Sequence, residues 1–482
     1  MIDSIFDDKP EIAEECGIFG IHCKGEDVSK LTFFGIFSLQ HRGQESAGIA
    51  ATDDGKTIKL HREMGLVTQI FREEILQELT GHAAIAHTRY STNGASVARN
   101  IQPMVTHTEK FGEIAMAHNG DLVNADEVRE VLKKKGAEFE STSDSEVIMK
   151  IIECSDADNI IDAITEVVNT IKGGFAVVLL VGDKVYAFRD PMGIRPLSLA
   201  TMGDDNFVVA SETCAFNTIG AKYVREVNPG EILCLDENGA RSTRATPKKE
   251  EAALCCFEYV YIARPDSNLY DVSVHAARRR MGAELAKEYP VDADIVFPIP
   301  HTGTPAAIGL AQESKIPYME AVIKNYYIHR TFIEPTQQLR ELGVRMKLSP
   351  LTESLRGKRV IMVDDSIVRG TTIGPTIKMI RDAGAAEVHV RIASPPLPFP
   401  CFYGIDTASR KELIAARMSV EEIRQYIGAD SLGFLSLEGL LKAIGVGHDK
   451  LCCACLDGKY PIEINKEMRE KKYLFDEDVK GK

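Results

Sequence analysis

The sequence has no apolar run approaching the roughly 20 residues that a membrane-spanning helix needs, so no helical span is expected. It also lacks the basic-then-apolar start of a secretory signal: "MIDSIFDDKPEIAEE" is acidic. There is no excess of positive charge, with 57 Lys and Arg against 71 Asp and Glu and a formal charge of −14. Nucleic-acid binding generally needs clustered cations to neutralise phosphates, so no nucleic-acid partner is expected. Internal repeats and low-complexity tracts are missing too, which sets aside solenoids and disordered arrays. The expectation is a cytoplasmic protein with neither membrane nor nucleic acid as a partner.

What is present is a chain of 482 residues, too long for one ordinary core, so two or three domains are expected. Hydrophobic residues make up 44% and charged residues 27%, the profile of a globular protein. The 11 cysteines point, in a reducing compartment, to metal binding or catalysis and not to disulfides.

From Cys16 to about residue 235, short strand-type runs such as "GDKVYAFRD", "NFVVASE" and "GEILCLD" mix with helical stretches, "DSEVIMKIIE" and "NIIDAITEVVNTIKG". This predicts an α+β domain with antiparallel sheets. The segment "ENGARSTRATPKKEEAA" has many charges and no period, and reads as a linker. Beyond it strands and helices alternate: "ADIVFPIP", "TPAAIGLAQES", "KRVIMVDD", "TTIGPTIKMIRDAG", "AEVHVRIAS". That pattern predicts an α/β domain with a parallel sheet, whose ligands bind at the carboxyl ends of the strands.

In "RVIMVDDSIVRGTT" an apolar strand stops at Asp364 and Asp365, and a Ser-Arg-Gly-Thr-Thr loop precedes a helix. Carboxylates there suit sugar hydroxyls or Mg²⁺. Gly370, Thr371 and Thr372 offer backbone N–H groups and hydroxyls at a helix start, which suits an anion. The plainer alternative is a capped turn with an acidic edge. Taken whole, the stretch resembles the ribose-phosphate loop of type I phosphoribosyltransferases. The resemblance implies that Asp364 and Asp365 hold ribose hydroxyls and metal, while Ser366 through Arg369, Gly370, Thr371 and Thr372 cradle the 5-phosphate of phosphoribosyl pyrophosphate. It makes Thr302, in "PIPHTGTPAA", a candidate Mg²⁺ or pyrophosphate ligand. Lys324, Arg330 and Arg340 fall in a segment that would close over a polyanion like a lid; a solvated surface loop is the alternative.

The other half carries "IAEECGIFG", "LQHRGQESAGIA", "AIAHTRYST", "MAHNGDLVN" and "STSDSEV", none explained by periodicity. Arg89 suits a carboxylate, Asn119 and the Gly120 N–H suit an oxyanion, and Asp144 suits an ammonium group. This set resembles the glutaminase domain of the N-terminal-nucleophile amidotransferases, an αββα sandwich. With the other half, the chain resembles the glutamine phosphoribosylpyrophosphate amidotransferase family from Cys16 nearly to its end. The resemblance implies glutamine-dependent synthesis of 5-phosphoribosylamine, the step that commits material to purines. It makes residues 1–15 a propeptide, 16–240 the glutaminase domain and 255–482 the phosphoribosyltransferase domain. Cys16 becomes the nucleophile, with its own α-amine as base once the leader is gone. Arg42, Arg89 and Asp144 become the glutamine-binding residues. Purine nucleotides as inhibitors and a homo-oligomer also follow from the resemblance.

"KLCCACLDGKYP" holds Cys452 and Cys455 in C-x-x-C spacing, which by itself fits zinc or an iron–sulfur cluster equally. In the cluster-bearing branch of the family, matching motifs imply a [4Fe-4S] cluster on Cys255, Cys401, Cys452 and Cys455, with Cys256 and Cys453 as spares. Cys23, Cys154, Cys214 and Cys234 lie in apolar contexts and read as packing residues. Tyr326, His329 and His301 depart from the family pattern, which puts the lid and the pyrophosphate loop in question. A non-catalytic regulator that binds the same phosphates is the alternative function; the acidic charge and domain layout do not favour it.

Overall fold

Strands in the first half bury both faces, so their apolar residues sort by the two-residue period of a strand. Around Gly17–His22, Ile18 packs inward with Ile85, Ala50 and Val209. Phe19 and Ile21 point the other way, with residues of the helices Val28–Ser38 and Cys214–Ile219. The computed structural model describes residues 16–24, 27–90, 97–203, 205–246, 252–325, 346–405 and 410–464. Seven antiparallel strands form the first sheet, in the order Lys222–Glu226, Ser198–Thr201, Phe207–Ala210, Gly17–His22, Ala83–Arg89, Ser46–Thr52, Lys59–Met64. Six more form the second, in the order Gly239–Arg244, Glu231–Asp236, Lys184–Arg189, Gly173–Val181, Gly112–Leu122, Met104–Thr108.

Ile18 and Ile85 from the first sheet meet Ala117, Val178 and Leu233 from the second in one core. The outer face of the second sheet packs Val177, Leu179 and Phe188 with residues of the helices Ser145–Glu153 and Ile160–Thr170. The layers are therefore helix, sheet, sheet, helix, as expected. The proposed linker is corrected in part: Gly239–Arg244 is an edge strand of the second sheet. Most of its side chains are exposed, and an edge strand with few buried residues shows no apolar alternation to read.

The second half centres on four parallel strands, Ile295–Pro298, Arg359–Asp364, Glu387–Ile392 and Ser431–Phe434, in that order. Phe297, Val360 and Met362 pack with the side of the helices Ile373–Asp382 and Val420–Ile427. Val296, Ile361 and Val363 pack with the helices Val274–Glu288 and Thr304–Ser314. Burial on both faces explains the near-continuous apolar runs. The topology puts the residues after Pro298 and after Asp364 at the same end of the sheet. No helix among the described residues is long and apolar enough to cross a membrane.

Candidate functional site

Cys16 stands directly before the central strand of the first sheet, whose Gly17 lies opposite Thr88. Arg89 ends the next strand and is nearly fully buried. The Cys16 thiol is 8% exposed and donates to the Tyr90 carbonyl at 3.5 Å. Burial pushes its pKa up to about 11, against the opposing pull of the Tyr90 hydrogen bond and Arg89; Glu45 and Asp144 add to the rise. Without a base this thiol stays protonated at neutral pH. The same interactions show that Cys16, Arg89 and Asp144 share one electrostatic neighbourhood, although they come from sequence positions far apart.

Asp144 is buried, and its Oδ2 accepts from the Leu122 N–H at 3.0 Å. That bond fixes it beside the end of the strand Gly112–Leu122, which carries Asn119 and Gly120. Asn119 is 1% exposed, and neither its Oδ1 nor its Nδ2 has a hydrogen-bond partner among the described residues. Burying an unsatisfied amide costs about 1–3 kcal/mol. Gly120 has φ +142°, and a Cβ there would lie 2.0 Å from the Gly174 carbonyl oxygen, so this position requires glycine.

Arg42 is completely buried behind the cysteine. Its Nε donates to the Cys16 carbonyl at 3.1 Å, and Nη1 donates to Glu212 at 2.6 Å and Glu258 at 3.0 Å. Nη2 donates to the other Glu258 oxygen at 2.7 Å. The guanidinium expected to contact glutamine is engaged with two carboxylates and the Cys16 backbone. Glu212 also accepts from His41, the Arg264 N–H and the Ser267 hydroxyl. Burial raises the Glu212 pKa, but His41 and Arg42 outweigh it and hold the carboxyl below the usual range. Sequence reasoning missed both acids. The one available signal was an acid, Glu258, inside the apolar run "CCFEYVYIA".

At the carboxyl end of the parallel sheet, Thr302, Asp364 and Asp365 come together. The Thr302 hydroxyl donates to Asp365 Oδ2. Ser366 Oγ donates to the other Asp365 oxygen at 2.6 Å, and the Asp365 N–H donates to Asp364 Oδ1 at 2.9 Å. Burial pushes the Asp365 carboxyl up, opposed by Ser366, Thr302 and Arg278. Gly370 has φ +74°, and Thr372 stands at the N-cap of the helix Ile373–Asp382. Arg369 pairs with Glu412 at 3.0 Å, and the Ile414 N–H donates to the Val368 carbonyl at 2.8 Å, so the loop is backed by the segment after residue 409. Lys324 ends a short strand, close enough to His301 for its charge to help burial lower the imidazole pKa. Thr371 is exposed. Arg330, Arg340, Tyr326 and His329 lie outside the described residues.

Cys255, Cys401, Cys452 and Cys455 line one small pocket, together with Ile194, Arg195 and Tyr403. Leu254–Cys255 and Leu451–Cys452 pair in parallel, with Cys255 opposite Cys452. Cys256 is not among the lining residues and lies against Cys453 and Cys455. Among the described residues no three His, Cys, Asp or Glu side chains converge on a point that could hold a single metal ion. The four thiols line one pocket. A zinc ion needs every thiolate about 2.3 Å from one centre, whereas a [4Fe-4S] cluster takes four cysteine thiolates, each on a different iron. The fully buried Arg195 lowers the pKa of Cys255 against the dominant effect of burial. All 11 cysteines are free thiols; Cys23, Cys214 and Cys234 are buried and Cys154 half-buried.

A glutamine amidotransferase domain model matches residues 87–218, and a phosphoribosyl transferase domain model matches residues 268–394. The chain is 48% identical over 455 residues to an amidophosphoribosyltransferase of Bacillus subtilis, covering 94% of this chain and 95% of that one. It is 48% identical over 469 residues to one of Methanocaldococcus jannaschii, covering 94% and 98%. Among solved structures it resembles the glutamine phosphoribosylpyrophosphate amidotransferase of Bacillus subtilis complexed with ADP and GMP. There the TM-score is 0.88 at 47% identity, over 94% of this chain and 98% of that one. By descent and by architecture, this chain belongs to the amidophosphoribosyltransferases.

Proposed function

We propose that the chain makes 5-phosphoribosylamine, glutamate and pyrophosphate from glutamine and phosphoribosyl pyrophosphate, the first committed step of purine synthesis, and that Cys16 is the nucleophile of the glutamine half-reaction. The observation that carries this is the buried Asn119 amide without a hydrogen-bond partner, on the strand fixed beside Asp144. With residues 1–15 removed, the Cys16 α-amine, with an ordinary pKa of about 7.7–8.0, takes the thiol proton. The sulfur attacks the side-chain amide carbon of glutamine, held by Arg89 at its carboxylate and Asp144 at its ammonium group. The oxyanion rests on Asn119 and the Gly120 N–H. The carbon–nitrogen bond breaks as the amine returns the proton to the departing ammonia, and water hydrolyses the thioester. Arg42 holds the Cys16 backbone from behind.

Ammonia then displaces pyrophosphate from C1 of the ribose. Asp364 and Asp365 bind the ribose hydroxyls, and Ser366, Arg369, Gly370, Thr371 and Thr372 bind the 5-phosphate. Lys324 and Arg330 bind phosphoribosyl pyrophosphate. Mg²⁺, which typically takes one or two carboxylates plus substrate phosphates, would be held by Asp364 and Asp365 with Thr302 and would neutralise charge on the leaving group. A [4Fe-4S] cluster on Cys255, Cys401, Cys452 and Cys455 would tie together loops distant in sequence, and the chain would then belong to the iron–sulfur branch. The glutaminase domain runs from Cys16 through the edge strand that ends at Arg244, and the transferase domain from residue 255. ADP and GMP bound in the solved relative support purine nucleotides as inhibitors, in a cytoplasmic homo-oligomer. Cys16→Ala is expected to lose glutamine-dependent synthesis and keep synthesis from ammonium; loss of both in a folded variant contradicts the division of labour.

A further inference from the structure

Three glycines meet where the two halves of the chain touch. Gly120, on the second sheet, packs against the Gly174 carbonyl on one side. On the other side, a Cβ on Gly404 would lie 3.2 Å from the Gly120 Cα and 3.4 Å from its carbonyl carbon. A Cβ on Gly174 would itself lie 3.0 Å from both the Cβ and the carbonyl oxygen of Tyr403. Tyr403 and Gly404 belong to the loop that carries Cys401, in the half that binds the ribose phosphate. The backbone of Gly120 therefore lies close to its own sheet and, within reach of one added carbon, to a loop from the other domain.

That loop is a firm stop. Tyr403 is 1% exposed, and its hydroxyl donates to the Ile462 carbonyl at 2.7 Å while accepting from the Ile462 N–H at 3.1 Å. Its own N–H donates to the Cys401 sulfur at 3.3 Å. The Tyr460 hydroxyl donates to the Pro400 carbonyl at 2.6 Å, just upstream. Glycine has no side chain to fix its peptide planes, yet an oxyanion donor must be held to about 0.5 Å. Something outside Gly120 has to supply that restraint.

We propose that Gly404 is a positioning residue for glutamine hydrolysis, its backbone pressing on Gly120 so that the Cys401 loop sets where the oxyanion donor stands. This rests on the assignment of Asn119 and Gly120 to the oxyanion. Gly404→Ala must strain a backbone at φ +121° and push Gly120 by a few tenths of an ångström. Glutaminase kcat is expected to fall about tenfold. KM for glutamine should stay within about twofold, because the donor acts only in the transition state. Synthesis from ammonium should be unchanged. Gly174→Ala places its Cβ against Tyr403 and Ile194, presses on the same loop from the sheet side, and is expected to give the same split. Gly445→Ala, with φ +78° and nothing within 4 Å of the new Cβ, carries the backbone strain alone and should keep its glutaminase kcat.

The proposal is overturned if Gly404→Ala and Gly174→Ala both keep a glutaminase kcat equal to that of Gly445→Ala. It is also overturned if their losses come with an equal loss of ammonium-dependent synthesis, which a local shift at Gly120 does not produce. Asn119→Ala separates the two levels. If it keeps its glutaminase kcat, the oxyanion assignment falls and the proposal with it. If it loses that activity while both glycine variants keep theirs, only the role of Gly404 falls.

Discussion

Replacing Arg42 by leucine removes the one guanidinium shared by Glu212 and Glu258, whose side chains, like that of Arg42, are 0% exposed. Breaking a buried pair by deleting one partner costs about 3–5 kcal/mol, because the remaining charge stays desolvated. Here two carboxylates are left, so Arg42→Leu belongs at the upper end of that range. Glu258→Gln is milder: it keeps the shape and one acceptor and leaves Arg42 paired with Glu212, a loss of about 1–3 kcal/mol. A chain of two domains does not unfold in one step, so the comparison is made as Tm by calorimetry, with the order wild type, Glu258→Gln, Arg42→Leu.

The dependence on pH has a definite sign. In the wild type the Glu212 pKa lies below its unfolded value, so its stabilisation is full above about pH 4.3 and fades as pH falls further. In Arg42→Leu the guanidinium no longer opposes burial at Glu212 and His41 alone of the two still holds the carboxyl down, so Glu212 titrates higher than in the wild type and loses part of its stabilisation. The Tm gap between wild type and variant should therefore widen as pH rises from about 3 to about 7, through the ordinary carboxylate range. An equal gap at both values, or Glu258→Gln less stable than Arg42→Leu, refutes the charge counting.

Three further outcomes are expected. Asn119→Ala should lower glutaminase kcat by about 10²–10³-fold with little change in KM, checked by glutamate release under saturating glutamine. Cys255→Ser should lose most of its iron and labile sulfide, whereas Cys256→Ser keeps both, since only Cys255 lines the cavity; stoichiometric zinc in anaerobically purified protein contradicts the cluster. Asp365→Asn should abolish synthesis from both glutamine and ammonium while ribose-phosphate binding weakens, measured by calorimetric titration with phosphoribosyl pyrophosphate.

Much of this architecture was legible in the sequence because it follows from simple periods. "ADIVFPIP" and "KRVIMVDD" became Ile295–Pro298 and Arg359–Asp364, strands buried on both faces and stopped by turn residues. Other features were hidden for physical reasons. The edge strand Gly239–Arg244 is too polar to alternate visibly. In the helix Val274–Glu288 three consecutive arginines mask the apolar face, and one of them, Arg278, is buried and donates to the carbonyls of Tyr259 and Ala263 at 2.8 Å each. Arg42 could be seen as important but not why. Its partners lie 170 and 216 residues away, and a link of that kind leaves no local pattern. The contact of Gly404 with Gly120 is equally long-range and made of backbone alone.

The account turns on which atom activates Cys16, a thiol that burial holds at a pKa of about 11. Intact-mass measurement of the protein, paired with a glutaminase assay on the same sample, tests this directly. Activity should appear only in the fraction of chains that begin at Cys16, and acetylation of that new amine should abolish it. Full glutaminase activity in chains that still carry residues 1–15, or after the amine is blocked, contradicts the mechanism.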